Sequence, residues 1–205
     1  VYFSFLPSYE GVRIMIKILE NNNIKSDSLK EELMNFLSEY AYSCDDISLE
    51  ETILNLLIKN NLKISLAESC TGGLISKSIT NIPGSSKIFI GSLVAYNNSI
   101  KNNFLDISND IIEKYGAVSH EVSELMANNI SENFKSDIAL SCTGISGPDG
   151  GSDKKPVGTV YISIKFLDKL LTNKFIFKLD RKSHRLMTKQ TALYMLWKLL
   201  INLKY

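Results

Sequence analysis

The sequence predicts an α/β protein, a three-layer α/β/α sandwich with a mixed sheet, preceded by a small α+β segment. Three observations predict it. From Ser48 onward, short apolar runs that read as strands interleave with stretches of helical periodicity, the pattern of a sheet covered on both faces. Two of those runs end in loops of small, turn-prone residues, Ala67-Glu68-Ser69-Cys70-Thr71-Gly72-Gly73 and Gly144-Ile145-Ser146-Gly147-Pro148-Asp149-Gly150-Gly151. The last third carries two alternating segments and then a long amphipathic helix.

Taken in order, Val12–Leu19 alternates well enough for a strand, and Asp27–Tyr42 has helical spacing, with Leu29, Leu33, Phe36 and Leu37 on one side. Ser43–Asp46 is a polar break and marks the boundary between a first unit, residues 1–46, and a second, residues 47–205. Ser48-Leu49-Glu50-Glu51 is a capping-box pattern that opens a helix running to about Lys59. Leu62–Leu66 reads as a strand into the first loop, Gly72–Thr80 as a helix starting inside it, and Ile88–Tyr96 as a continuous apolar strand broken by Asn97-Asn98-Ser99. Ile107–Lys114 and His120–Phe134 have helical spacing, the second capped by Ser119. Asp137–Ser141 is a strand into the second loop. Val157–Phe166 and Leu171–Leu179 form a hairpin across Leu167–Leu170, and Ser183–Leu203 is the terminal helix.

The 205 residues allow one ordinary domain plus a small appendage, and a composition of 44% hydrophobic and 22% charged residues supports a core rather than disorder. A net charge of +1 argues against a protein that coats nucleic acid, though not against a local basic pocket. The three cysteines, Cys44, Cys70 and Cys142, have no spacing for a disulfide framework or a zinc site, so a reducing, cytoplasmic setting is expected. No apolar run approaches the roughly 20 residues of a membrane span. Val1–Leu6 lacks the parts of a signal peptide, and a start at Val1 is what a piece of a longer protein would show.

Ser69 lies just past a strand end, where ligands of α/β sheets bind; it reads as a nucleophile if a base accepts its proton, and otherwise as a helix cap. Glu68 reads as a base, a charge partner or a surface group. Thr71-Gly72-Gly73 reads as an anion cradle at a helix start or as a tight strand-to-helix turn; it is neither a P-loop nor a dinucleotide fingerprint. Gly144–Gly151, with its proline and Asp149, needs unusual backbone angles and reads as a ligand loop beside a sheet-edge crevice, against a plain surface loop. Tyr96 and Lys101 bracket a strand end; either could take a serine proton where neighbours lower its pKa, or stand as an edge tyrosine and an exposed lysine. Arg181 and Arg185, a turn apart, suit bidentate phosphate binding or a solvated helix face. The two histidines, His120 and His184, lack partners at metal-ligand spacing. Cys70 and Cys142 read as buried thiols, or as a redox pair if they meet.

Five motifs in order, Ala67–Gly73, Val94-Ala95-Tyr96-Asn97-Asn98 with Lys101, Tyr115–Ser119, Gly144–Gly151 and Lys155-Pro156-Val157-Gly158-Thr159-Val160, resemble the C-terminal domain of the CinA competence/damage-inducible family, over roughly Ser48–Tyr205. Phe5-Leu6-Pro7-Ser8 with Gly11-Val12-Arg13 resembles the start of that family's KH-like middle domain, so residues 1–46 are expected to be its remnant; with no Gly-x-x-Gly loop, it implies no nucleic-acid partner. The N-terminal domain that carries the family's pyrophosphatase activity has no counterpart in this sequence, so that activity is not carried over. The resemblance implies an amidohydrolase of the pyridine nucleotide cycle, converting nicotinamide mononucleotide and water to nicotinate mononucleotide and ammonia without metal or cofactor. It implies Ser69 as nucleophile with Lys101 and Tyr96 as proton-transfer partners. Backbone N–H groups of Thr71, Gly72 and Gly73 are implied to bind the oxyanion or the phosphate. Glu68, Gly144, Ser146, Gly147, Asp149, Gly150, Arg181 and Arg185 are expected around the nucleotide. It also implies a homodimer or higher homo-oligomer, and no membrane. Where the family often has glycine before the Asp-Arg pair, this chain has Leu179. The alternative function is a non-catalytic nucleotide-binding or regulatory module linked to competence or DNA damage.

Overall fold

A computed structural model of the chain describes residues 1–19 and 26–203; the last two residues of the expected second unit lie outside that range. An N-terminal hairpin pairs β1 (Tyr2–Ser8) with β2 (Gly11–Lys17), and α1 spans Ser26–Phe36. Then follow α2 (Leu49–Lys59), β3 (Ile64–Glu68), α3 (Leu74–Thr80), a short 3-10 turn (Ser85–Lys87) and β4 (Phe89–Val94). The remainder is α4 (Asn98–Leu105), α5 (Asn109–Tyr115), α6 (His120–Phe134), β5 (Ile138–Gly144), β6 (Thr159–Phe166), β7 (Lys169–Ile176) and α7 (Arg181–Ile201).

The main sheet has five strands in the order β4-β3-β5-β6-β7. β3 pairs in parallel with β4 and β5, and β5, β6 and β7 follow antiparallel, so the sheet is mixed. These directions bring the C-terminal ends of β3, β4, β5 and β7 and the N-terminal end of β6 to one edge. The chain leaves β3 for β4 on one side and returns to β5 on the other, which makes that edge a topological switch point, where α/β sheets bind ligands.

Alternation along the strands splits the core. Ile64 and Leu66 of β3 and Ile138, Leu140 and Cys142 of β5 pack under α2, α3 and α7. Ala67 and Ala139 face α4, α5 and α6 with Leu105, Ile112, Val122, Met126 and Ile130. Helices therefore cover both faces. Full burial of each large aliphatic side chain contributes about 1.5–3 kcal/mol. Hydroxyls share the α6 face: Ser163 Oγ donates to Ser123 Oγ at 2.7 Å and Ser141 Oγ to the Ser123 carbonyl at 2.6 Å, so this buried layer of small residues keeps its polar atoms paired.

Several expectations need correction. Tyr2–Ser8 is a strand that the sequence pattern does not show, because its apolar side chains stand exposed on both faces and no half-buried alternation marks it. The strand does end before Asn97-Asn98-Ser99, at Val94, but those residues also start a helix that the sequence did not show, α4, with the Asn97 side chain accepting from the Ser99 N–H at 2.9 Å. The first helix ends at Phe36 rather than Tyr42, and the last starts at Arg181 rather than Ser183 because Asp180 caps it. The hairpin turn is Leu167-Asp168 alone, with Lys169 already in β7. Among the described residues no helix is long and apolar enough to cross a membrane.

Candidate active site

β3 ends on Glu68, and the chain turns through Ser69–Gly73 into α3. Glu68 is completely buried, and its carboxylate is the cap of that helix. One oxygen accepts from Thr71 Oγ1 at 2.6 Å and from the Gly73 and Ile75 N–H groups at 3.1 Å; the other accepts from the Ser76 N–H at 2.7 Å. Gly73, the residue before the helix, has φ of +89° and no side chain to cap with, so the carboxylate reaches across the turn in its place.

This turn holds Ser69 at the sheet edge, 8% exposed, with its N–H donating to the Cys142 carbonyl at 3.0 Å. The Gly72 N–H is spent on the Ser69 carbonyl and the Gly73 N–H on Glu68, the Cys70 N–H faces its own sulfur, and the Thr71 N–H has no partner among the described residues. Behind the turn, Cys70 and Cys142 are buried free thiols in mutual contact; that contact and burial push the Cys70 thiol well above its ordinary pKa.

Lys101 projects from α4 into the same place. It is 1% exposed, the largest fully buried side chain in the protein's described core. Its Nζ lies 3.4 Å from Ser69 Oγ and donates to the Ala95 carbonyl at 2.8 Å. Burial pushes its pKa below the ordinary lysine value, with the Cys70 and Cys142 sulfurs acting in the opposite direction. No carboxylate is among its hydrogen-bond partners, so the ammonium form has no ion-pair partner there.

The loop between β5 and β6 closes the site from the other side, and α7 holds it. Arg181 Nη1 donates to the Gly147 carbonyl at 2.8 Å, and its Nη2 donates to the Tyr96 hydroxyl at 2.6 Å. Arg185 Nη2 donates to the Thr71 carbonyl at 2.6 Å, and its Nε is buried without a partner. Gly158, where the loop enters β6, has φ of +96°, and a Cβ there would overlap the Phe177 carbonyl. Gly158→Ala is therefore expected to cost about 2–4 kcal/mol. Urea denaturation checks this; a loss below about 0.5 kcal/mol would show that the loop relaxes freely.

The family model for the CinA C-terminal domain matches residues 46–200. The chain belongs to that family. CinA-like proteins of Dictyoglomus thermophilum and Pseudothermotoga lettingae are similar to it, the first 47% identical over 173 residues and the second 40% identical over 195. These alignments cover 84% and 95% of this chain but 42% and 48% of the relatives, so the chain spans about half the length of the curated relatives it matches. The crystal structure of the competence/damage-inducible protein CihA from Agrobacterium tumefaciens superposes with a TM-score of 0.72 at 35% identity, covering 75% of this chain and 94% of that one.

Within this CinA C-terminal domain, the residues singled out from sequence separate into three settings. Ser69, Lys101 and the Thr71–Gly73 turn come together at the sheet edge. Tyr96 is 57% exposed at the rim, bonded to Arg181, with no hydrogen bond to Ser69 or Lys101 among the described residues. Asp149 and Gly150 are exposed on the loop, whereas Ser146 is buried and turned toward α7. Gly144 lies against Thr159 and Val160, too close for a side chain. Leu179, in place of the glycine common in CinA domains, causes no strain: its φ is not positive, and Asp180 beside it still caps α7. His184 is the residue that sequence reasoning weighed only as a metal ligand; it is fully buried under the loop. A groove of about 440 Å³ between α5 and α6, lined by Ile111, Tyr115 and Leu125 among others, holds the first residue of the Tyr115–Ser119 motif but none of the candidate catalytic or substrate-binding residues named from sequence.

Proposed function

We propose that this CinA-family chain is an amidohydrolase that converts nicotinamide mononucleotide and water to nicotinate mononucleotide and ammonia. The observation that carries the reading is the buried Lys101 ammonium group, 3.4 Å from Ser69 Oγ and lowered in pKa by burial. A neutral Lys101 accepts the Ser69 proton as Oγ attacks the carboxamide carbon, whose electrophilicity the cationic pyridinium ring raises. The unpartnered Thr71 N–H and the Cys70 N–H, on the residue directly after the nucleophile, are the oxyanion donors of this scheme. Lys101 then returns the proton to the leaving nitrogen, ammonia departs, and a water deprotonated by Lys101 hydrolyses the acyl-serine. The Tyr96 hydroxyl accepts from Arg181, so its own proton stays free to donate to substrate at the rim. Arg181, Arg185 and the Gly144–Gly151 loop supply the positive, polar wall for the phosphate and ribose.

Purified chain is expected to release ammonia and nicotinate mononucleotide in equal amounts from nicotinamide mononucleotide. Ligand binding without turnover would instead support a regulatory module. The family resemblance also leads us to expect a homodimer or higher oligomer, and Tyr2, Phe3, Phe5, Leu6 and Val12 of the hairpin, each close to half exposed or more, add apolar surface for it. Light scattering after size exclusion should return a mass at least twice the 23.0 kDa of one chain; a monomer at micromolar concentration contradicts this.

A further inference from the structure

His184 lies one turn into α7, outside the Ser69–Lys101 pair, and is fully buried. Its Nε2 faces the Gly158 carbonyl oxygen at 3.1 Å, and its Nδ1 faces Ser146 Oγ at 2.9 Å. A carbonyl oxygen only accepts, so Nε2 carries the proton and donates. In the neutral ring Nδ1 is then an acceptor, and the Ser146 hydroxyl donates to it. Both partners belong to the loop between β5 and β6, Ser146 where it departs and Gly158 where it returns. One residue beyond Ser146, the Gly147 carbonyl accepts from Arg181, whose other nitrogen reaches Tyr96. The first turns of α7 thus grip both ends of the loop and tie it to the opposite rim.

Protonation reverses this arrangement. An imidazolium donates from both nitrogens, so the buried Ser146 O–H loses its acceptor and is left unpaired. The groups that face the ring are the neutral Ser146 hydroxyl and Gly158 carbonyl of the loop, the edge-oriented Phe177 ring, and the Arg181 cation of α7. No carboxylate is among them. Burial pushes the His184 pKa below the ordinary value; the Gly158 carbonyl opposes this and Arg181 adds to it. The folded chain therefore binds this proton less tightly than the unfolded chain. The stability linked to neutral His184 is present above about pH 6.5 and is lost as pH falls through the lowered folded value.

We infer that neutral His184 is a positioning residue that clamps the loop in the geometry that binds the nucleotide part of the substrate, and that its protonation releases the loop and weakens substrate binding while leaving the chemistry at Ser69 in place. The inference rests on the amidase reading above. It is tested by steady-state kinetics with nicotinamide mononucleotide from about pH 8 to about pH 5 on the parent, His184→Gln and Ser146→Ala chains. Glutamine supplies one donor and one acceptor without titrating. Protonation of Lys101 lowers kcat toward the acid end in the parent and in His184→Gln alike, so KM is the readout: the parent KM is expected to rise about tenfold at the acid end, and His184→Gln to hold KM nearly flat. Ser146→Ala is expected to raise KM about fivefold already at neutral pH. A parent KM independent of pH, or a loss confined to kcat in Ser146→Ala, overturns the clamp. The ¹⁵N spectrum of the chain carrying His120→Gln, which leaves His184 as its one histidine, reads the ring without any turnover. A neutral Nε2–H tautomer at neutral pH supports the clamp, and an Nδ1–H tautomer or an imidazolium there overturns it. A neutral Nε2–H ring in a chain that turns over no substrate at any pH would count against the amidase reading alone.

Discussion

Lys101→Ala is expected to lower kcat for nicotinamide mononucleotide by about 10³-fold, with KM little changed. The side chain is buried beside Ser69 Oγ, and its one other hydrogen-bond partner is a backbone carbonyl, so its loss removes the proton acceptor without disturbing the Arg181 and Arg185 wall. Lys101→Arg is the sharper test. It keeps a positive charge near Ser69, but a guanidinium does not give up its proton in a protein, so this variant should be as inactive as the alanine. Activity above about a tenth of the parent in the arginine variant would mean that Lys101 serves only as a charge. The pH dependence has a fixed sign. The base must be neutral, so parent kcat should rise with pH through the lowered Lys101 pKa and then level off. The same burial makes Lys101 a cost to stability. Because its folded pKa is depressed, the unfolded chain holds this proton more tightly, and stability rises with pH across the interval up to about pH 10.4. Lys101→Met should therefore be inactive yet at least as stable as the parent near neutral pH, as measured by urea denaturation.

Glu68→Ala is expected to destabilise the fold by about 3–5 kcal/mol. The carboxylate is fully buried and accepts from Thr71, Gly73, Ile75 and Ser76; alanine leaves those donors without a partner at the start of α3. Glu68→Gln keeps the shape, but its one oxygen replaces two and its amide hydrogens point at a helix N-terminus, so about half of that loss is expected to remain. Thermal or urea unfolding checks both. A loss of less than about 1 kcal/mol for alanine would show that water or a relaxed turn can replace the cap. The two residues make opposite contrasts: Lys101 trades stability for a reactive group, whereas Glu68 builds the turn that aims Ser69.

Much of this arrangement is legible in the sequence because it rests on local signals. The strands into Ser69 and Gly144 are continuous apolar runs, the α2 cap is a Ser48–Glu51 box with its hydrogen bond in place, and glycines mark the close approaches of the second loop. What is not legible depends on partners distant in sequence. Glu68 is the exception: its partners lie three to eight residues on, but it looks like a base, a charge partner or a surface group until the turn brings the start of α3 onto its carboxylate. His184 resembles an isolated histidine because Ser146 and Gly158 meet it only after the β5–β6 loop folds against α7. Tyr96 and Lys101 sit five positions apart, yet one is at the rim and the other in the interior, because α4 starts between them. The first strand of the N-terminal hairpin hides for a different reason: with every residue of β1 exposed, it carries no alternation to read.

The most direct test of the catalytic centre is the rate of ammonia release from nicotinamide mononucleotide by Ser69→Ala beside the parent, with circular dichroism confirming that both are folded. Ser69 as the attacking group predicts a fall of about 10³-fold or more with substrate binding retained. Ammonia release by Ser69→Ala at a rate near that of the parent would contradict it.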